Sequence, residues 1–157
     1  MDLEQREEIN TFFVQTFNYI LLCEERAITN RGLSDLSTKE AHVIAAAISL
    51  AEEDRNIMSL IADELNISAG ALSTAVNTLT RKGYLERVPS EKDRRIIFVR
   101  ATEKGLDANR IHTEFHEDML EHIAKELDTE DIDVLTRSLE RLSSLFDTLA
   151  HQKRRTE

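Results

Sequence analysis

Apolar residues recur at helical spacing over most of this chain, with one interruption in the middle. From residue 3 to about residue 26, Phe12, Phe13, Phe17, Ile20 and Leu21 punctuate polar positions with no breaker between them. A long first helix is predicted, closed by Asn30-Arg31-Gly32. Ser37-Thr38-Lys39-Glu40 has the form of a capping box ahead of the apolar run from Val43 to Leu50, and predicts a second helix. Leu60, Ile61 and Leu65 share one face of a short third helix, and the tight Asn66-Ile67 link leads to Ser68, a natural N-cap. The fourth helix, residues 69–82, buries Leu72, Val76 and Leu79 at i, i+4, i+7 and turns Ser73, Thr74, Asn77, Thr78 and Arg81 outward. Gly83 suits a helix C-terminal cap. Past it the pattern changes: residues 84–88 and 95–100 are strand-like and flank Pro89-Ser90-Glu91-Lys92-Asp93-Arg94, where a turn best accommodates the only proline. Thr102 caps a helix to about residue 126, and Asp128-Thr129 start a last one to about residue 150. In it Ile132, Leu135, Leu139, Leu142, Phe146 and Leu149 form one apolar stripe.

A helix-turn-helix followed at once by a short basic hairpin is a winged helix. The expected fold is therefore mainly α, with a two-stranded β-wing and long N- and C-terminal helices. Residues 1–36 are expected to form a dimerisation helix, residues 37–102 the DNA-binding domain, and residues 103–157 the C-terminal dimerisation helices. A helix whose outer face is small and hydrogen-bonding enters the major groove, and a cationic hairpin tip meets phosphates or a narrow minor groove. The candidate DNA-binding residues are Ser68, Ala69, Ser73, Thr74, Asn77, Thr78 and Arg81 on the helix, with Lys92, Asp93, Arg94 and Arg95 on the wing. Asn77 could pair with adenine, Ser73 and Thr74 with several bases, and Ala69 or Ala71 could meet a thymine methyl. The first and last helices carry more apolar surface than a lone helix leaves in water. Phe12, Phe13, Phe17, Leu135, Leu139, Leu142 and Phe146 are thus assigned to a homodimer interface. A two-fold dimer reads a pseudo-palindromic operator in double-stranded DNA.

Composition sharpens this picture at one point. A net charge of −10 over 157 residues is unexpected for a DNA binder, yet residues 56–100 hold seven Lys/Arg against five Asp/Glu. The charge is segregated, so acidic flanks repel DNA except at the intended face. They also leave a second class open, a protein-binding winged-helix module. No Gly-rich phosphate loop, His-Glu-x-x-His pattern or Ser/His/Asp constellation is visible, so an enzyme is not expected. The opening residues carry no apolar signal run and no stretch approaches the ~18 apolar residues of a membrane span, so a cytoplasmic location without a membrane partner is expected. The basic Lys153-Arg154-Arg155 end is expected to fray, and His122 and His151 to lie at the surface.

The order of elements resembles the MarR family of bacterial transcriptional regulators. The residues that carry the resemblance are Leu60-Ile61-Ala62-Asp63-Glu64-Leu65 with Ser68, the Leu79 to Arg87 run, and Asp93-Arg94-Arg95 leading into Ala101-Thr102-Glu103-Lys104-Gly105. The resemblance implies that Arg95 reaches the minor groove while Asp93 orients the wing. Within the family, Leu36-Ser37-Thr38-Lys39-Glu40-Ala41-His42 and Ile111-His112-Thr113-Glu114-Phe115-His116 look most like the fatty-acid-synthesis repressors of Gram-positive bacteria. Those repressors answer to acyl groups on acyl carrier protein, which implies an acyl ligand and that partner. The same segments admit a metal site. His112 and His116 lie one helical turn apart, and His42 with Glu24 could complete a four-ligand set for Zn2+, similar to the zinc-responsive branch of the family. Cys23 admits peroxide sensing. Its neighbours Tyr19, Ile20, Leu21 and Leu22 instead predict a buried, structural cysteine, because burial raises a thiol pKa.

Overall fold

The computed structural model describes residues 1–153; Arg154-Arg155 and the side chains from residue 150 on, His151 included, lie outside the described residues. The chain divides into two compact units, Met1–Phe115 and His116–Glu157. The first holds α1 (Leu3–Asn30), α2 (Thr38–Ala51), α3 (Met58–Glu64), α4 (Ala69–Arg81), β1 (Leu85–Pro89), β2 (Ile97–Ala101) and the first half of α5 (Glu103–Glu126). The second holds the rest of α5 and α6 (Thr129–Lys153). This is the expected mainly α, winged-helix architecture.

Local chemistry starts and stops each element. Asp2 and Gln5 form a reciprocal capping box at the head of α1, which ends at the predicted Asn30-Arg31-Gly32 stop, with Gly32 at φ +87°. Ser37 and Glu40 form the box read from the sequence at the head of α2. Between α3 and α4 the backbone reverses through Asn66 at φ +52°, a conformation Asn tolerates better than most residues. Ser68 then caps α4 through its hydroxyl, which accepts from the Ala71 amide at 3.2 Å. At the other end, the Gly83 and Tyr84 amides fold back onto the carbonyls of Thr80 and Leu79, the pattern of a helix closed by a left-handed glycine.

The core of the first unit sits under α4. Leu72, Val76 and Leu79 are fully buried with Ile44 and Ala47 of α2, Ile61 of α3, Leu85 of β1 and Val99 of β2. β1 and β2 pair antiparallel from Leu85↔Ala101 to Pro89↔Ile97. Two expectations shift here. Pro89 ends a strand rather than opening a turn, which a two-stranded ribbon allows because an edge residue need not donate. β2 starts at Ile97 rather than Arg95, because the Ile96 amide folds back to the Asp93 carbonyl and keeps Arg94 and Arg95 in the turn.

The wing is anchored at its root. Asn56, 2% exposed, donates its side-chain amide to the Val99 carbonyl at 2.7 Å, while its own carbonyl accepts from the Val99 amide at 2.8 Å. An isolated bridge between Ile57 and Phe98 continues this seam. Thr102 ties the wing to α5, donating to the Gly83 carbonyl at 2.6 Å and accepting from the Gly105 amide at 3.2 Å. Gly105 is required there, since a Cβ on it would lie 2.2 Å from the Tyr84 carbonyl oxygen.

In the second unit Asp128 caps α6 by accepting from the Asp131 amide at 2.9 Å. No helix among the described residues is long and apolar enough to cross a membrane.

Candidate nucleic-acid interface

Burial of Leu72, Val76 and Leu79 leaves α4 only one face to offer. Ser68, Ala69, Thr74, Asn77 and Arg81 are exposed on it, with Ser73 and Thr78 half-buried at its margins. Small side chains here let the helix backbone come close to base edges. Several of these groups are already committed. The Ser68 hydroxyl caps the helix, Thr74 donates its hydroxyl proton to the Gly70 carbonyl at 3.1 Å, and Asn77 Oδ1 accepts from Arg87 Nη1 at 2.8 Å.

The wing tip is a turn held by side chains, with its cations in solvent. Ser90 Oγ accepts from the Lys92 and Asp93 amides at 3.3 and 3.4 Å, and the Asp93 carboxylate accepts from the Arg95 amide at 3.0 Å. Asp93 thus shapes the loop that presents Arg95, whose side chain is 95% exposed. Lys92 and Arg94 are exposed beside it.

A polar network backs this head. Tyr84 donates its hydroxyl to Asp35 at 2.7 Å, and the Lys104 ammonium lies 3.9 Å from the centre of the tyrosine ring and 3.4 Å from Asp35. Lys82 donates to both Glu40 carboxylate oxygens at 2.8 Å and also to the Asp35 backbone carbonyl. The bond from Tyr84, with help from Lys104, holds the Asp35 carboxyl below its ordinary range. Burial pushes Glu40 up, but the bonds from Lys82 and Ser37 outweigh it and the net shift is down. Burial, then the bond to Asp35, raises the Tyr84 hydroxyl far above its usual value.

Of the proposed metal ligands, Glu24, His42 and His112 come together, with donor atoms within 4.8 Å of one another. His42 Nε2 and His112 Nε2 both meet Glu24 Oε1, at 2.9 and 2.7 Å, and the two rings pack edge to face with centres 5.2 Å apart. Glu24 is 2% and His112 8% exposed. One carboxylate, buried on α1, thus gathers an imidazole from α2 and one from α5. His116 is not a member of this group among the described residues; it opens the second unit. A pocket of about 410 Å³ lies next to His42, lined by Lys39, Glu40, Val43, Leu65 and Ile67, with Ala71 and Ala75 of α4 as one wall.

Cys23 departs from expectation. It is exposed, because Tyr19, Leu21 and Leu22 around it are themselves 40–64% exposed and do not enclose it. On the proposed dimer faces Phe12, Phe17, Leu135, Leu139 and Phe146 are exposed, while Phe13 and Leu142 are half-buried. Phe13 stacks on Phe17 at 6.2 Å. His122 is at the surface. The sequence did not single out Arg87 as a partner of Asn77, nor Asn56 as the anchor of the wing. Both contacts depend on strand register, which no local pattern announces.

The winged helix DNA-binding domain family matches residues 36–105. No curated protein matches the chain. Among solved structures, FabT of Streptococcus pneumoniae in complex with DNA is similar at 33% identity over 92% of this chain and 99% of that one, with a TM-score of 0.82. The MepR–DNA complex of S. aureus is 18% identical over 87% of this chain and 95% of its own, with a TM-score of 0.72. A MarR/EmrR family transcriptional regulator from Acinetobacter is 19% identical over 94% and 99%, with a TM-score of 0.68.

Proposed function

The chain belongs to the MarR family of winged-helix DNA-binding transcription regulators, and from that premise we propose that it is a homodimeric, ligand-responsive repressor that recognises a pseudo-palindromic operator. The observation that carries this is the pairing, in one unit, of a recognition helix with a small polar outer face and a wing tip that holds Arg95 out in solvent. α4 lies in the major groove, with Ser73, Thr74 and Asn77 at base edges and Ser68, Thr78 and Arg81 nearer the backbone. Lys92, Arg94 and Arg95 reach phosphates and the minor groove, and Asp93 shapes their loop. Apolar faces on α1 and α6 supply the dimer, which sets two recognition helices roughly 34–36 Å apart, one DNA turn. A DNA-binding regulator of this kind acts in the cytoplasm.

The effector is an acyl group delivered by acyl carrier protein, and the regulated genes are those of fatty-acid synthesis. Similarity to FabT and the largely apolar pocket against Ala71 and Ala75 support this. A ligand there bears directly on α4, and it shifts the operator equilibrium only as far as it binds one arrangement better than the other. A second effector, Zn2+, is favoured by the Glu24–His42–His112 cluster. A buried carboxylate and two imidazoles within 4.8 Å of one another are a zinc-type donor set, with both imidazole Nε2 atoms meeting the same Glu24 oxygen. Zn2+ bound there would join α1, α2 and α5 electrostatically.

The test is fluorescence anisotropy of the full chain on a labelled duplex from its own upstream region, at two salt concentrations, with chelator, with zinc, and with acylated carrier protein. Arg95→Ala is expected to cost roughly ten-fold in affinity, with a shallower salt slope, and to leave the oligomer intact. An unchanged Kd removes the wing from the mechanism. Enhancement by zinc that disappears in His112→Ala selects the metal, and enhancement by the acylated carrier alone selects the acyl ligand.

A further inference from the structure

Asn77 lies at the centre of the exposed face of α4, yet its amide is held by a residue outside that helix. Arg87 of β1 donates from Nη1 to Asn77 Oδ1 at 2.8 Å. The strand register explains the reach. Arg87 lies opposite Val99 and shares a ribbon face with Leu85; both neighbours are buried, so the guanidinium continues that face outward toward α4. Arginine has donors only, so the atom it meets must be the carbonyl oxygen, which fixes the otherwise ambiguous amide by chemistry. The amide nitrogen is left on the other side.

We propose that Arg87 is a specificity-determining positioning residue: by pinning the Asn77 oxygen to the wing it presents Asn77 to DNA as a donor, so that the protein demands a hydrogen-bond acceptor at that operator position. This rests on the base-reading role of α4. Guanine offers N7 and O6, adenine N7 and thymine O4, whereas cytosine shows only its N4 donor in the major groove and is rejected. An unpinned asparagine could turn and accept from cytosine N4. Thr74, three residues earlier on the same face, has the opposite polarity: its proton is spent on the Gly70 carbonyl, so it turns lone pairs outward and suits a donor such as cytosine N4 or adenine N6.

The experiment is selection from a randomised duplex pool by the full-length protein and by Arg87→Met, Arg87→Lys and Asn77→Asp, followed by affinities on the selected sites. Wild type is expected to disfavour cytosine roughly ten-fold at one position of each half-site. Arg87→Met loses that discrimination while the rest of the motif stands; Arg87→Lys, still a pure donor, keeps it; and Asn77→Asp, which retains the bond to Arg87 but has no donor, turns the preference toward cytosine. If Arg87→Met returns the wild-type base profile at every position and loses only affinity and salt dependence, Arg87 is a phosphate contact and the proposal is overturned. A wild-type selection that enriches no motif overturns sequence reading by α4, and the proposal with it.

Discussion

The helix at the centre of the winged head and the helices at the two ends of the chain use the same apolar residues to opposite effect. Leu72, Val76 and Leu79 of α4 have no exposed surface, whereas Phe12 and Phe17 of α1 and Leu139 and Phe146 of α6 keep half or more of theirs. α1 buries only Glu24 and Ile28 over 28 residues. The head therefore satisfies its hydrophobic pattern within one chain, and the end helices do not. An apolar stripe specifies a burial partner without saying whether that partner is the same molecule.

The largest expected effect comes from charging the bare face. Leu139→Glu with Phe146→Glu should give a monomer by sedimentation equilibrium, with operator affinity down about 10²–10⁴-fold because the second half-site is no longer tethered. The circular dichroism of the head should be unchanged. Persistence of the dimer would place the interface elsewhere. Within the head, Leu72→Ala should cost about 2–5 kcal/mol in urea unfolding, since a fully buried side chain leaves a cavity. A cost below that range would show a looser core than the packing implies. Gly105→Ala should cost about 1–3 kcal/mol by the opposite fault, a methyl forced onto the Tyr84 carbonyl. The smallest effect is on acid stability. Asp35 and Glu40 titrate below their ordinary 3.8 and 4.5 in the fold, so the stability they add is complete above those values and is lost as pH falls through the depressed ones. Asp35→Asn should flatten the acid limb of the unfolding midpoint against pH; an unaltered limb would assign that stability to other groups.

Legibility followed the range of the forces involved. The Ser37–Glu40 box, the Ser68 cap and the inner face of α4 each rest on steps of three or four residues in sequence, and each was found where its pattern put it. The histidine cluster was legible in part: three of the four proposed ligands converge, because helical spacing predicts that His112 and His116 are neighbours but not which of them meets a buried carboxylate on another helix. Cys23 fails for a related reason, since apolar neighbours on one helix bury nothing until something covers them. Arg87 reaches from β1 to α4 and Asn56 from a loop to β2, 10 and 43 residues from their partners in sequence, where only the folded chain brings donor to acceptor.

Asn56 also sets a clock. It holds both the amide and the carbonyl of Val99, so that amide meets solvent only when the seam between Asn56 and the wing root opens. Deuterium should enter at the buried Val99 amide far more slowly than at the exposed wing tip a few residues away. One backbone position thus reports how long the wing stays seated beside the reading helix.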